Sequence, residues 1–175
     1  MPAGVENAIV FIDAMNLYEG LRVAGINTNI DYNKFGNKLV GQSRRLVRCY
    51  LYTGAYDQAK APDKYASQMR FFNKVHRMTF VTLKTRPLKG DAQGGFYQKG
   101  VDTLIATDMV SMAFLAHYDV CVLVSGDGDL APAVDAVKAA GKQVIVAAFR
   151  RSRSSAIAQS ADQEILLDQA FMTGC

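Results

Sequence analysis

The stretch Ala8-Ile9-Val10-Phe11-Ile12-Asp13 decides the fold class of this 175-residue chain. Five apolar residues follow one another without polar alternation, which is typical of a strand covered on both faces of a parallel sheet. Further apolar runs of strand length recur along the chain, and stretches with helical spacing separate most of them. This alternation predicts an α/β fold with a mainly parallel central sheet, in which residues 8–12 form the central strand.

The remaining elements follow from the same patterns. The predicted strands are residues 8–12, 46–52, 78–83, 120–124 and 144–149, and a last apolar piece spans 165–167. Helices are predicted over 17–25, 32–40, 62–75, 101–116, 130–140 and 154–160. Asn16 is expected to cap the helix that begins at Leu17. The stretch 89–100 contains Gly90, Gly94, Gly95 and Gly100, and is expected to be a flexible flap without regular structure.

The composition fits one domain over residues 1–175. Half of the residues are hydrophobic and 21% are charged, so a substantial core is expected. No apolar run approaches the roughly 20 residues of a membrane-spanning helix. Cys49, Cys121 and Cys175 are odd in number and widely spaced, which favours neither a disulfide framework nor a zinc site. We therefore expect a cytoplasmic protein with no membrane partner. A net charge of +4 is too small to establish a nucleic-acid partner by itself.

Aspartates follow the ends of two predicted strands. Asp13 ends the first strand, and Asp127 and Asp129 follow the strand at 120–124. Ligands of open parallel sheets bind outside the carboxyl ends of the strands, so these side chains are expected to face one another. The flap can lift the first turn of the next helix towards the same crevice. Asp102 then becomes the third or fourth acid of the cluster.

Such a cluster requires a cation or protons, because two carboxylates about 5 Å apart repel by roughly 3 kcal/mol at an effective dielectric of 20. Ligands that are all oxygen favour Mg²⁺ or Mn²⁺ over Zn²⁺. A site of this kind can hold a scissile phosphate and activate the attacking water. It predicts hydrolysis of a phosphate ester.

Each aspartate also has an ordinary structural interpretation. A single aspartate at a strand end is commonly a turn former or a helix cap, and Asp129 could cap the helix that follows it. Asp102 could answer the dipole of its helix. Asp108 lies about 120° round that helix from Asp102 and about 9 Å along it, so both cannot easily face one ion, and Asp108 is expected to be structural or to support the metal ligands from behind. The order of the motifs, more than any one of them, favours a site.

Three motifs in this order resemble the NYN domain family, a LabA-like branch of the PIN-like metal-dependent ribonucleases. They are Ile12-Asp13-Ala14-Met15-Asn16, Lys99-Gly100-Val101-Asp102 and Ser125-Gly126-Asp127-Gly128-Asp129-Leu130. The resemblance implies a PIN-like three-layer sandwich with strand order 3-2-1-4-5. It also implies an acidic Mg²⁺ or Mn²⁺ site that cleaves RNA phosphodiesters.

The resemblance also assigns roles to particular residues. By position, Asp13, Asp102 and Asp127 match the acids of the family, and Asp129 matches a nearby fourth acid. Asn16 matches the polar residue that orients the site. These five residues are therefore the expected catalytic residues, and the four aspartates are the expected metal ligands.

Basic residues follow the same strand ends and predict a cationic rim for RNA. The expected contacts are Lys84, Arg86, Lys99, Arg150, Arg151 and Arg153. Tyr56, Phe96 and Tyr97 could stack unpaired bases, which favours a single-stranded RNA partner. Basic loops are also often only solvated, so each of these residues has a simpler interpretation.

The first functional hypothesis is a metal-dependent ribonuclease. The alternative is a nucleic-acid-binding or regulatory module of the same fold with little or no turnover. A third interpretation is a phosphatase or nuclease that acts on DNA or small nucleotides through the same metal. The chain has neither the Gly-Lys-Ser/Thr ending of a phosphate-binding loop nor a triad motif. A homodimer stays open, because no sequence feature specifies an interface.

Overall fold

The central strand of the fold is β1 (Glu6–Asp13), which is buried from Ala8 to Asp13. In the computed structural model, which describes residues 4–90 and 95–175, β1 lies between two parallel neighbours in the sheet. The other strands are β2 (Arg44–Ala55), β3 (Val81–Pro87), β4 (Lys89–Gly90), β5 (Phe96–Tyr97), β6 (Val120–Val124), β7 (Gln143–Phe149) and β8 (Gln163–Leu167). The helices are α1 (Ala14–Val23), α2 (Tyr32–Val40), α3 (Pro62–His76), α4 (Val101–Phe114), α5 (Ala131–Ala139), α6 (Ser155–Ser160) and α7 (Gln169–Met172).

The main sheet has the order 3-2-1-6-7-8 in the part of the chain that the structure describes, and its pairings are parallel. The predicted order 3-2-1-4-5 is therefore wrong. Two short strands, β4 and β5, intervene between β3 and β6 and pair with each other outside the main sheet. A sixth strand, β8, extends the sheet beyond β7. The predicted α/β class with a mainly parallel sheet is confirmed.

Two apolar cores cover the two faces of the sheet. On one face, alternate residues of β1 such as Val10 and Ile12 pack with α1, α2 and α7. On the other face, Ile9 and Phe11 pack with α4, α5 and α6. The three layers are consistent with a PIN-like sandwich. Because both faces are covered, a ligand can reach the sheet only at its edges or ends.

The flap at 89–100 has more structure than its glycines indicate. Lys89–Gly90 pairs with Phe96–Tyr97 as an antiparallel ladder, so the expectation of no regular structure is wrong there. Residues 91–94, including Gly94, lie outside the described residues. The Gly54 N–H donates to Gln98 Oε1 at 2.8 Å, and the Phe96 ring packs edge-on against Tyr56 with centroids 5.2 Å apart. These contacts fix the flap to the end of β2.

Several element ends differ from the predictions. The strand β3 begins at Val81 instead of residue 78, because the preceding turn places Phe80 at a positive φ of 59°. A short 3-10 turn, Gly128–Leu130, comes before α5, which therefore begins at Ala131. Every helix in the described part of the chain is too short or too polar to cross a bilayer.

Candidate acidic active site

Asp13 lies at the end of the central strand and is only 6% exposed. It caps α1, since its Oδ1 accepts from the backbone N–H groups of Met15 and Asn16, both at 3.1 Å. The expectation that Asn16 caps a helix beginning at Leu17 is therefore wrong, because the carboxylate of Asp13 already folds back over the first turn. The sequence thus places a charged group at a buried position where two N–H donors hold it.

The environment of Asp13 raises the pKa of its carboxyl from 3.8 to about 6. Burial is the largest cause, and the negative charges of Asp102 and Asp127 add to it. The two backbone hydrogen bonds act in the opposite direction. Asp13 therefore shares one electrostatic environment with two acids from distant parts of the chain.

Asp127 follows β6, whose last residue, Val124, pairs with Ile12 of β1. Its Oδ1 accepts from the Asp129 N–H at 2.9 Å, and its own N–H donates to Ser125 Oγ at 3.2 Å. Asp127 thus caps the 3-10 turn that carries Asp129. The capping role that the sequence suggested for Asp129 belongs to Asp127 in the structure.

Asp102 lies exposed in the first turn of α4. Its pKa is raised, first by partial burial and then by the charges of Asp127 and Asp129. Gly100, with a φ of +80°, supplies the left-handed residue that turns the chain from the flap into this helix. Asp13, Asp102, Asp127 and Asp129 are therefore linked electrostatically at one end of the sheet.

Asn16 connects two of the segments that carry these acids. Its side-chain Oδ1 accepts from the Gly126 N–H at 3.0 Å, which ties α1 to the loop after β6. On the other side of that loop, the Ser154 N–H donates to the Gly126 carbonyl at 2.9 Å. A Cβ on Gly126 would lie 2.1 Å from the Ser152 carbonyl oxygen, so only glycine fits there. The loop that carries Asp127 is therefore held from both sides.

The contact of residues 152–154 with this loop was not predicted from the sequence. Ser154 caps α6 by accepting from the Ile157 N–H at 3.2 Å, while its backbone binds Gly126. The Ser-rich start of a helix was a usable signal for the cap. Nothing in the sequence indicated the contact with Gly126, since it depends on how β6 and β7 pair.

The donor set fits a hard divalent cation in its chemistry, since carboxylate and amide oxygens are the ligands that Mg²⁺ and Mn²⁺ prefer. Within residues 4–90 and 95–175, however, no three His, Cys, Asp or Glu side chains converge closely enough to hold a metal ion. Carboxylates that raise one another's pKa repel, and a cation would reduce that repulsion.

Asp108 has a structural role. Its Oδ2 accepts from the Tyr52 hydroxyl at 2.8 Å and from Lys84 Nζ at 2.6 Å. The Lys84 ammonium also lies 5.0 Å from the centre of the Tyr50 ring. This network joins α4 to β2 and β3, and it engages one of the six basic residues that were expected to bind RNA.

The other basic residues differ in their exposure and in whether they form ion pairs. Arg153 forms an ion pair with Glu164 of β8. Arg86 and Lys99 are exposed, on β3 and before α4 respectively. Arg150 and Arg151 are exposed after β7, and neither has an ion-pair partner among the described residues. They also line a cavity of about 490 Å³ between α1 and the ends of β7 and β8.

A parallel sheet with both faces covered and four interacting aspartates at its end defines an α/β protein with an acidic candidate site. The chain belongs to the NYN domain family, whose model matches residues 7–168. This domain belongs to the PIN-like nuclease superfamily, whose NYN nucleases generally depend on a divalent metal and act on RNA.

A solved structure also resembles this chain. It is the crystal structure of a protein of unknown function from Vibrio parahaemolyticus, 26% identical in sequence with a TM-score of 0.70. The similarity covers 98% of this chain and 99% of that chain. No curated protein matches this chain.

Proposed function

We propose that this protein is a metal-dependent ribonuclease of the LabA-like branch, which hydrolyses phosphodiester bonds of single-stranded RNA. One observation carries the proposal. The buried Asp13 carboxyl has its pKa raised to about 6, in part by Asp102 and Asp127, which come from distant parts of the sequence. Perturbed carboxylates gathered at one end of a parallel sheet are typical of functional sites.

Asp13, Asp102, Asp127 and Asp129 would hold the cation. When bound, Mg²⁺ or Mn²⁺ supplies positive charge to the scissile phosphate and activates the attacking water. Asp13 is held by the two backbone N–H groups that donate to it, and Asp127 is held by the hydrogen bond that it accepts from the Asp129 N–H. Because the pKa of Asp13 is raised, its carboxyl must release a proton before it can bind a cation at mildly acidic pH.

Asn16 acts by positioning. Its Oδ1 receives the Gly126 N–H, and this bond sets the distance between α1, capped by Asp13, and the loop that carries Asp127. Loss of the amide would remove this bond and leave the relative position of the two acids to the pairing of β1 with β6. We propose that Asn16 supports catalysis in this way.

The RNA strand would contact the basic residues around this end of the sheet. Arg150 and Arg151 are the strongest candidates, since they are exposed and unpaired within the described residues, and Arg86 and Lys99 are also exposed. Lys84 and Arg153 would have to exchange their carboxylate partners for phosphate. We also propose a cytoplasmic location, which the three free cysteines support. A homodimer stays an untested prediction.

A second function has one observation in its favour. Because no three acidic ligands converge within the described residues, the site could serve a nucleic-acid-binding or regulatory module that turns over little or not at all. In that case the basic rim would bind RNA while the aspartates would hold no catalytic metal.

Cleavage of end-labelled single-stranded RNA separates the two functions. The wild-type chain is assayed with Mn²⁺, with Mg²⁺ and with EDTA, beside Asp13→Asn and the control Asp135→Asn, which changes an exposed aspartate of α5. A ribonuclease requires cleavage that needs metal, survives Asp135→Asn and is lost in Asp13→Asn. Metal-independent binding with no cleavage in any sample would establish the binding module instead. Replacing the RNA with DNA of the same sequence tests the RNA preference.

A further inference from the structure

A second cavity, of about 370 Å³, lies at the start of α1 and is lined by a different part of this helix from the arginine-lined cavity. Ala14 and Met15, the two residues after Asp13, form part of its wall. Thr53 of β2 forms another part, and it lies one residue beyond Tyr52, the register partner of Asp13. The cavity therefore opens at the same end of the sheet as the aspartates.

The walls of this cavity are aromatic. Tyr32 is buried and packs edge-on against Phe71, with ring centroids 6.3 Å apart, so these two rings form a fixed surface. Tyr18 of α1 also lines the cavity and is 47% exposed, which leaves part of its ring available to a ligand. Flat apolar ligands are favoured in such a space, because ring faces stack on one another.

Polar groups stand at the border of the same cavity. Thr28, Asn29 and Thr53 supply hydroxyl and amide groups to its lining. Lys74 Nζ donates to Asn29 Oδ1, so a cationic group also lies next to this polar border. A ligand of matching chemistry has flat apolar faces and an edge of donors and acceptors. A nucleobase has this character, and the volume falls within the range of about 300–1,000 Å³ for small-ligand sites.

We propose that this cavity receives the nucleobase of a nucleotide next to the scissile phosphate of single-stranded RNA. The inference rests on the proposed function for the position of the scissile phosphate, and it names a substrate contact of that site. The base stacks on Tyr18 and enters against the Tyr32 and Phe71 rings, while its polar edge meets the hydroxyl and amide groups. An unpaired base enters without the unpairing energy that a duplex base must pay, so the cavity favours single strands over duplexes.

Anisotropy of a fluorescent single-stranded RNA octamer, measured in EDTA with the full chain, tests the cavity without catalysis. Tyr18→Ala removes an exposed ring, and we expect it to weaken binding about tenfold, the order of effect seen for base-stacking aromatics. Tyr18→Phe keeps the ring and should bind as the wild type does. Phe114→Ala is the matched control, since Phe114 is 70% exposed at the end of α4 and does not line the cavity.

The same octamer with one base removed at a time supplies the second readout. Wild-type protein should lose affinity for an octamer that lacks the base at one position, and Tyr18→Ala should show no further loss for that octamer. Equal affinity of wild type and Tyr18→Ala overturns the cavity proposal, as does equal affinity of the wild type for every abasic octamer. Unfolding midpoints of the variants in the same buffer exclude a folding defect as the cause.

The ribonuclease proposal has a separate readout. Suppose that the wild type cleaves RNA with metal and that Tyr18→Ala binds RNA with wild-type affinity. This result refutes the cavity proposal and leaves the ribonuclease proposal intact. Base-dependent binding through Tyr18 without cleavage supports the cavity as the base site of a binding module and refutes the ribonuclease.

Discussion

Replacing the Asp13 carboxylate with a neutral isostere should stabilise the metal-free protein at neutral pH. The folded structure raises the pKa of Asp13 from 3.8 to about 6, and each pKa unit corresponds to about 1.4 kcal/mol. The ionised carboxylate therefore lowers the free energy of unfolding by about 3 kcal/mol at a pH above both values. The neutral amide introduced by Asp13→Asn avoids this cost, and asparagine remains a good helix N-cap for α1.

The sign of the pH dependence follows from proton binding. Between pH 3.8 and about 6 the folded state binds more protons at Asp13 than the unfolded state does, so stability falls as the pH rises through this window. Below pH 3.8 the carboxyl is neutral in both states, and the variant gains nothing. The advantage of Asp13→Asn should therefore grow across this window and persist above it.

Urea unfolding in EDTA at about pH 7.5 and about pH 4 measures this difference for the wild type, Asp13→Asn and the control Asp135→Asn. At the higher pH a difference of about 3 kcal/mol corresponds to a rise of roughly 6–12 °C in the melting temperature of a chain of this size. Mn²⁺ should stabilise the wild type and not Asp13→Asn. A variant that is less stable than the wild type at the higher pH in EDTA, or a gain that is the same at both pH values, would refute the argument.

Three further changes test the rest of the site. Arg150→Glu with Arg151→Glu should weaken RNA binding and flatten its salt dependence by about one unit of slope per lost phosphate contact, with single-turnover cleavage at saturating RNA nearly preserved. An unchanged salt dependence would show that the segment after β7 is solvated and does not contact the RNA phosphates. Gly126→Ala places a Cβ against the loop after β7 and should cost about 1–3 kcal/mol in urea unfolding and most of the cleavage rate, whereas Gly4→Ala, which meets nothing within 4 Å, should do neither. Asp108→Ala should lower the unfolding free energy by about 1–3 kcal/mol while the folded protein keeps its cleavage rate, and loss of cleavage there would place Asp108 in the site.

The fold class could be predicted because the central strands are apolar throughout. Residues 8–12 and 120–124 are buried on both sheet faces, and such runs have few other uses in a chain of this length. The edge strand β8 could not be predicted as part of the sheet, since Gln163 and Glu164 are exposed and only Leu167 of this strand is buried. The predicted strand order therefore lacked the edge strand, where the sequence pattern of a strand is weakest.

The sequence indicated which polar residues lie at the site more readily than it indicated which partner each of them binds. Asp13 and Asn16 are both good cap residues, and the sequence alone does not decide between them. The structure decides because Asn16 has a partner, Gly126, that lies 110 residues away in the chain. The position of Asp108 on the helix set it aside from the acidic cluster, but its partners Tyr52 and Lys84 come from strands that only the folded sheet brings near.

The rate of single-turnover cleavage of an end-labelled single-stranded RNA across a Mn²⁺ series tests the central claim most directly. The four-aspartate account predicts no cleavage in EDTA, a rate that rises with Mn²⁺ to a plateau, and loss of that rate in Asp127→Asn, whose fold stays intact. Asparagine keeps the cap of the 3-10 turn, so the loop itself should persist. Cleavage that is equal with Mn²⁺ and EDTA, or equal in wild type and Asp127→Asn, would contradict the account.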